Sequence, residues 1–167
     1  MIIRGIAVLI QILILYLMQT SVFTSFMLAG VVPDLLLIPV VAIAFTRGSN
    51  KGMITGFLSG LLIDITYSSF IGLFALMYMF IGFLTGFAHK IYDENDYTSP
   101  VILISVSELV YNLLYYVFFY FLNGKLNFGF YLYRFMIPRV IYTVFVSLLL
   151  YRLFNLENIF FKRFDRD

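Results

Sequence analysis

The sequence predicts an all-α integral membrane protein with six transmembrane helices. Of its 167 residues, 62% are hydrophobic and 12% are charged, and the mean hydropathy is +0.98. A soluble domain averages about 45–50% apolar and about 25% charged residues, so this chain requires the bilayer as its solvent. One domain is expected at this length. The net charge of +2 gives no indication of nucleic-acid binding.

The apolar runs predict helices at about 5–23, 31–45, 53–66, 70–88, 101–122 and 135–154. No cleavage motif follows the first run, which favours a retained helix over a signal peptide. The second run has Pro33 at its start and Pro39 inside it. The second and third runs are short, because a helix of about 15 residues covers about 22 Å of a core about 30 Å thick. We therefore expect them to be extended, irregular or shielded by neighbouring helices.

Basic residues predict that both termini lie in the cytoplasm. With six crossings, the cytoplasmic side holds eight basic residues: Arg4, Arg47, Lys51, Lys90, Arg152, Lys162, Arg163 and Arg166. The opposite side holds three: Lys125, Arg134 and Arg139. This asymmetry satisfies the positive-inside rule. The aromatic and basic residues of the 155–167 segment predict an amphipathic cytoplasmic tail on anionic lipid.

Residue types that build active sites are scarce, so we do not expect an enzyme. The chain has no cysteine and a single histidine, His89, which excludes thiolate sites and histidine clusters for a metal. His89 is interpreted as the polar end of a helix. No phosphate-binding loop or hydrolase motif occurs, and no cofactor is expected.

Ionisable residues inside the membrane are the candidates for specific contacts, because each is costly there without a partner. Asp34, Asp64, Arg134 and Arg139 are all predicted near the outer membrane face. Our hypothesis is that Asp34 or Asp64 pairs with Arg139. The alternative is that each carboxylate caps a helix end, which Pro33 favours for Asp34.

Glu108 and Asn112 lie one turn apart on the fifth predicted helix and form a polar stripe. The stripe predicts either a structural hydrogen-bonded network or a substrate or proton site. Aromatic residues crowd the outer end of the same helix, where they are expected to form an interfacial belt or an apolar rim for a partner.

Glycines repeat every four residues along the third predicted helix, at Gly48, Gly52, Gly56 and Gly60. Gly82 and Gly86 form a similar pair on the fourth helix. Such faces let two helix backbones approach closely. They predict either packing within the chain or a docking face for the single transmembrane helix of another protein.

The region from Val32 to Gly86 resembles the rod shape-determining MreD family of bacteria. It contains P-D-L-L-L at Pro33 to Leu37, and then a short basic turn from Arg47 to Lys51. G-x-x-x-G-F-L-x-G-L-L-x-D follows from Gly52 to Asp64. After a small polar turn come I-G-L-F-A-L-M-Y from Ile71 and F-I-G-F-L-T-G from Phe80. The remainder of the chain matches the family only in its hydropathy.

The resemblance implies a non-catalytic scaffold of the cell-elongation (rod) complex in the bacterial inner membrane. Such a scaffold binds MreC and works with the MreB filament, RodA and a class B penicillin-binding transpeptidase in peptidoglycan synthesis. The contact residues expected for MreC are Asp34, Gly52, Gly56, Gly60 and Asp64. The resemblance also implies the fold of the substrate-binding membrane subunits of energy-coupling-factor transporters. The alternative function is therefore a subunit of this kind for a vitamin or another small molecule.

Overall fold

A computed structural model of the chain describes residues 2–27, 30–91 and 98–164, and no strand occurs in these ranges. Its six main helices are α1 (Ile2–Leu17), α2 (Leu37–Arg47), α3 (Ser49–Tyr67), α4 (Leu73–Gly86), α5 (Thr98–Tyr116) and α6 (Ile137–Phe164). Short helical turns extend them: Met18–Val22 and Phe23–Ser25 after α1, Phe87–Lys90 after α4, Val117–Phe121 after α5, and Phe128–Tyr131 and Leu132–Met136 before α6.

Four stretches of the described chain are helical, long and apolar enough to cross a membrane: Ile2–Val22, Leu73–Lys90, Pro100–Phe121 and Phe128–Leu150. The predicted count of six spans is therefore not confirmed. The helix α2 has 11 residues and reaches only about 16 Å. The helix α3 has 19 residues, but its glycines and its polar first turn lower its hydropathy.

The helix α2 begins later than the predicted residue 31. Proline disfavours a helical backbone in the residue before it, and Asp34 Oδ1 then accepts a hydrogen bond from the N–H of Leu37 at 3.3 Å. Pro39 falls in the first turn of α2, where a backbone N–H has no partner within the helix. Pro39 therefore does not interrupt the helix.

The short helix α2 lies at the centre of the bundle. It contacts α3, α4 and α5, and Leu36, Leu37, Val40 and Val41 are all 0% exposed. Neighbouring helices thus shield α2, which is one of the outcomes expected for a short apolar segment.

The helices α3 and α4 pack closely side by side and in opposite directions. Gly48 turns the chain from α2 into α3 with φ +93°, a conformation that favours glycine. Along the pair, Gly52 lies against Gly82, Gly56 against Tyr78, and Gly60 against Phe74. The two backbones are therefore in contact over most of the length of α3.

The last helical stretch is longer in both directions than the predicted 135–154. It starts with the turn at Phe128 and continues to Phe164, through most of the segment predicted as a separate tail. Residues 165–167 of that tail lie outside the described ranges. The early start places Arg139 in the middle of the Phe128–Leu150 span rather than at its outer end.

The aromatic residues at the end of α5 form a second, smaller core. Tyr116, Tyr131 and Met136 are buried together, and the Tyr116 and Tyr131 rings are 5.2 Å apart. These tyrosines therefore pack α5 against the start of the last helical stretch. They do not form only an interfacial belt.

Candidate functional site

Three charged side chains meet inside the bundle. Asp34 comes from the connection before α2, Glu108 from α5 and Arg139 from α6. Both carboxylates are 0% exposed, and the Arg139 side chain is 22% exposed. Charges inside a membrane are tolerated when they pair with one another. We refer to these three residues, together with Tyr78, as the charge cluster.

Arg139 contacts both carboxylates of the charge cluster. Its Nε lies 3.0 Å from Glu108 Oε1, although the N–H is not aligned for a hydrogen bond, and its Nη2 lies 3.5 Å from Asp34 Oδ2. The guanidinium also lies over the Tyr111 ring, with its Cζ 5.1 Å from the ring centroid, a cation–π arrangement. Arg139 thus links α6 to α5 and to the connection before α2.

Asp34 is held by groups from three further directions. The Tyr78 hydroxyl of α4 lies 2.6 Å from both Asp34 carboxylate oxygens and donates to them. The N–H of Leu37 donates to Oδ1, and the Asp34 N–H donates to Thr143 Oγ1 of α6 at 3.1 Å. Asp34 therefore forms both the ion pair and the helix-end contact that were stated as alternatives.

Gln19 holds the chain just after Asp34. Its Oε1 accepts hydrogen bonds from the N–H groups of Leu35 at 3.0 Å and Leu36 at 3.3 Å. Gln19 lies in the π-helical turn after α1, a rare element that is common at functional positions. This contact attaches α1 to the start of α2.

Glu108 and Asn112 form part of the same network. The Asn112 Nδ2 donates to the Glu108 carbonyl oxygen at 2.8 Å and to its Oε1 at 3.1 Å. Glu108 Oε2 accepts no hydrogen bond from the described residues. The predicted stripe thus contacts other groups of the chain. It lines neither a cleft between α1, α2 and α3 nor a second cleft between α6 and the turns after α1.

Asp64 has a separate structural role. Its carboxylate accepts hydrogen bonds from the N–H groups of Gly72 at 3.0 Å, Phe74 at 3.1 Å and Ala75 at 2.9 Å. These groups form the start of α4, where backbone N–H groups lack partners within the helix and a negative charge is favoured. Asp64 therefore caps the next helix, and Asp34 is the acid that pairs with Arg139.

The predicted glycine face is already covered by this chain. A Cβ at Gly56 would lie 2.3 Å from the Tyr78 carbonyl oxygen, and one at Gly60 would lie 2.4 Å from that of Phe74. At Gly52, it would lie 2.5 Å from the Ala44 Cβ. Packing within the chain is thus the outcome for Gly52, Gly56 and Gly60. Asp34 and Asp64 are also fully buried, so direct contact between these five residues and another helix would require the neighbouring helices of this chain to move.

The network includes three residues that were not singled out by the sequence: Tyr78, Thr143 and Gln19. Tyr111 was expected only as one of the aromatic residues at the outer end of its helix. Hydroxyl and amide groups within apolar helices are the signal, because buried polar groups require a partner. Among the described residues, no group of three or more His, Cys, Asp or Glu side chains is arranged to hold a metal ion.

These features define a class of protein: a helical membrane protein whose described residues include four stretches long and apolar enough to cross a membrane, with a mutually paired charge cluster inside its bundle. A family profile described as rod shape-determining protein MreD matches residues 1–158 of the chain. The chain therefore belongs to the MreD family, which indicates a role in determining rod shape and is not known for catalysis. A search of curated proteins found no match, and a search of solved structures found none either.

Proposed function

We propose that this chain is a non-catalytic scaffold of the bacterial cell-elongation (rod) complex in the inner membrane. It binds the transmembrane helix of MreC and helps to couple the cytoplasmic MreB filament to peptidoglycan synthesis by RodA and a class B penicillin-binding transpeptidase. The single observation that carries this proposal is the family match over residues 1–158.

The geometry of the charge cluster supports a structural role. Arg139 lies 3.0 Å from Glu108 and 3.5 Å from Asp34, so the charges of these residues are paired within the bundle. Asp64 is likewise occupied by backbone N–H groups. This arrangement favours a scaffold over the transporter alternative, which would place polar groups around a ligand cavity.

The five residues expected to contact MreC lie inside the bundle. Because α4 covers the glycines and the two acids are buried, we propose that these residues affect the binding of MreC indirectly, by fixing the shape of the bundle. Direct contact then uses an outward apolar face. We propose α1 for this role, because only 11% of its span is buried in the chain, against 28% to 50% for the other three spans.

The test is co-expression of the full chain with tagged MreC and purification in mild detergent. A photo-crosslinking amino acid at Ile10 of α1 is compared with one at Leu148 of α6, because the two side chains are similarly exposed at 53% and 52%. We expect a stoichiometric complex and a crosslink to MreC from position 10. A crosslink from position 148 alone would contradict the assignment of α1, and failure to co-purify would contradict the scaffold.

A variant separates loss of docking from loss of folding. Gly56→Leu would place a side chain against the backbone of α4, so we expect it to lose MreC and thermal stability together. If Gly56→Leu lost MreC while its melting temperature stayed unchanged, the glycine face would be a direct contact after all. If it retained MreC at wild-type yield, this face would have no influence on docking.

A further inference from the structure

A cleft of about 470 Å³ opens at the N-terminal end of the bundle, between α1, α2 and α3. Its basic lining residues are Arg4, Arg47 and Lys51, one from each helix. Its apolar walls are formed by Val8, Leu9, Ile43, Ile54 and Leu58.

The cleft exists because the first half of α1 stands away from the rest of the bundle. Within α1, only Ile12 and Leu15 are buried, and both lie in its second half. A Cβ built at Gly5, which lines the cleft, would find no atom within 4 Å. Since the stretch that begins with α1 is long and apolar enough to cross a membrane, a gap beside its first half would face the hydrocarbon of one leaflet.

The lining divides into a charged part and an apolar part. Arg4 precedes the apolar run of α1, Arg47 ends α2 and Lys51 lies in the first turn of α3. All three cations therefore lie at helix ends, and Arg4 lies near the start of a stretch long and apolar enough to cross a membrane, which corresponds to the level of a headgroup region. Val8, Ile54 and Leu58 lie about one to two turns further into the membrane, since a helix rises about 1.5 Å per residue.

An occupant that matches both parts has an anionic head and an apolar chain. Arginine and lysine bind phosphate groups with charge-assisted hydrogen bonds, and basic pockets between membrane helices on the cytoplasmic side bind anionic lipid headgroups. The cleft volume lies within the range of about 300–1,000 Å³ that is usual for small-molecule sites. The surrounding bilayer supplies such a molecule laterally, without passage through water.

We propose that this cleft binds one anionic phospholipid of the leaflet on the N-terminal side, with its phosphate between Arg4, Arg47 and Lys51. One acyl chain then lies against Val8, Ile54 and Leu58. The bound lipid would attach the otherwise loosely packed first half of α1 to α2 and α3.

The test measures lipid retention by the purified full chain. The protein is exchanged into detergent that contains equal amounts of phosphatidylglycerol and phosphatidylcholine, and bound lipid is counted by native mass spectrometry. The test variant is Arg4→Gln/Lys51→Gln, and the control is Lys90→Gln/Arg163→Gln, which removes two exposed cations outside the cleft. We expect one retained phosphatidylglycerol, with affinity reduced about tenfold or more in the test variant only.

A second variant keeps the charges and fills the cavity. Val8→Trp places a large side chain in the cleft, and we expect it to lower retention of phosphatidylglycerol without lowering the melting temperature. Equal losses in the charge variant and its control, or equal retention of both lipids, would overturn the proposal. Displacement of the lipid by inorganic phosphate alone would also overturn it, because it would show a phosphate site without an acyl-chain contribution.

Discussion

Arg139 balances two carboxylates in the interior of the bundle. It lies within 3.0 Å of Glu108 and 3.5 Å of Asp34, both of which are fully buried. Breaking a buried ion pair by removing one partner leaves an uncompensated charge, which costs about 3–5 kcal/mol. The three residues are therefore not equivalent, because Arg139 is the one whose loss leaves two acids facing each other.

Arg139→Gln is expected to lower the free energy of unfolding by about 3–5 kcal/mol. Glu108→Gln is expected to cost about 1 kcal/mol or less, because Arg139 keeps Asp34 as its counter-charge, glutamine keeps the side-chain shape, and Oε2 has no donor to lose among the described residues. Denaturant unfolding of the purified protein in detergent measures both. The double variant should be more stable than Arg139→Gln alone, and a purely additive double variant would contradict the pairing.

Asp64→Asn is expected to weaken the start of α4. Asparagine keeps one acceptor oxygen and replaces the other with an NH2 group, so either Phe74, which donates to Oδ1, or Gly72 and Ala75, which donate to Oδ2, would lose their acceptor. The expected cost is about 1–2 kcal/mol. Hydrogen exchange at the Phe74 or the Ala75 amide should then accelerate. Ser69→Ala, an exposed change in the preceding turn, serves as the control and should leave both amides protected. Unchanged exchange in Asp64→Asn would show that the cap is dispensable.

At the scale of the elements, α3 and α4 act as one unit joined by glycines. A methyl group at Gly56 would meet the Tyr78 carbonyl oxygen at 2.3 Å, and one at Gly82 would meet the Gly52 carbonyl oxygen at 2.2 Å. Both partners are backbone atoms, which cannot move without the helix that contains them. The pair thus depends on the absence of side chains on both facing surfaces.

Gly56→Ala and Gly5→Ala are expected to change stability in opposite directions. Gly56→Ala forces α3 and α4 apart and should cost about 1–3 kcal/mol or more. Gly5 also lies inside a helix, but with nothing within 4 Å of its added Cβ, so alanine there should stabilise by up to about 1 kcal/mol. Thermal melting of the two variants in the same detergent is the measurement. A similar change in both would contradict the close approach of α3 and α4.

Local patterns predicted the helices. Contacts between residues distant in sequence determined what the patterns left open: how the chain is held before α2, which acid pairs with Arg139 and what covers the glycine face. The apolar runs located all six helices, but the chain just before α2 is also held by Gln19, which accepts hydrogen bonds from the N–H groups of Leu35 and Leu36, 16 and 17 residues further along the chain. The choice between Asp34 and Asp64 as partner of Arg139 depends on the position of each acid in the bundle. A glycine face has the same sequence whether its partner belongs to the same chain or to another, so spacing alone could not assign it.

At the scale of the whole molecule, the contacts of α4 bear on how many times the chain crosses the membrane. The α4 span ends at Lys90, and near that end His89 Nδ1 lies 2.7 Å from the Phe45 carbonyl oxygen of α2. A Cβ at Gly86 would lie 2.2 Å from the Ser49 Cα of α3. The end of α2 and the start of α3 thus lie level with one end of a membrane span. At the other end, Asp64 of α3 contacts Gly72.

This geometry predicts that α2 and α3 cross the membrane beside α4, which would restore six crossings. A four-crossing alternative leaves α2 and α3 as a hairpin that enters from the outer side and returns, with both chain ends still in the cytoplasm. The chain has no cysteine, so Asn50→Cys and Ser69→Cys each introduce a single label site. With six crossings, an impermeant maleimide should reach position 50 only from the cytoplasm and position 69 only from outside. Labelling at 69 with no labelling at 50 from either side would establish the hairpin, because position 50 would then lie within the membrane.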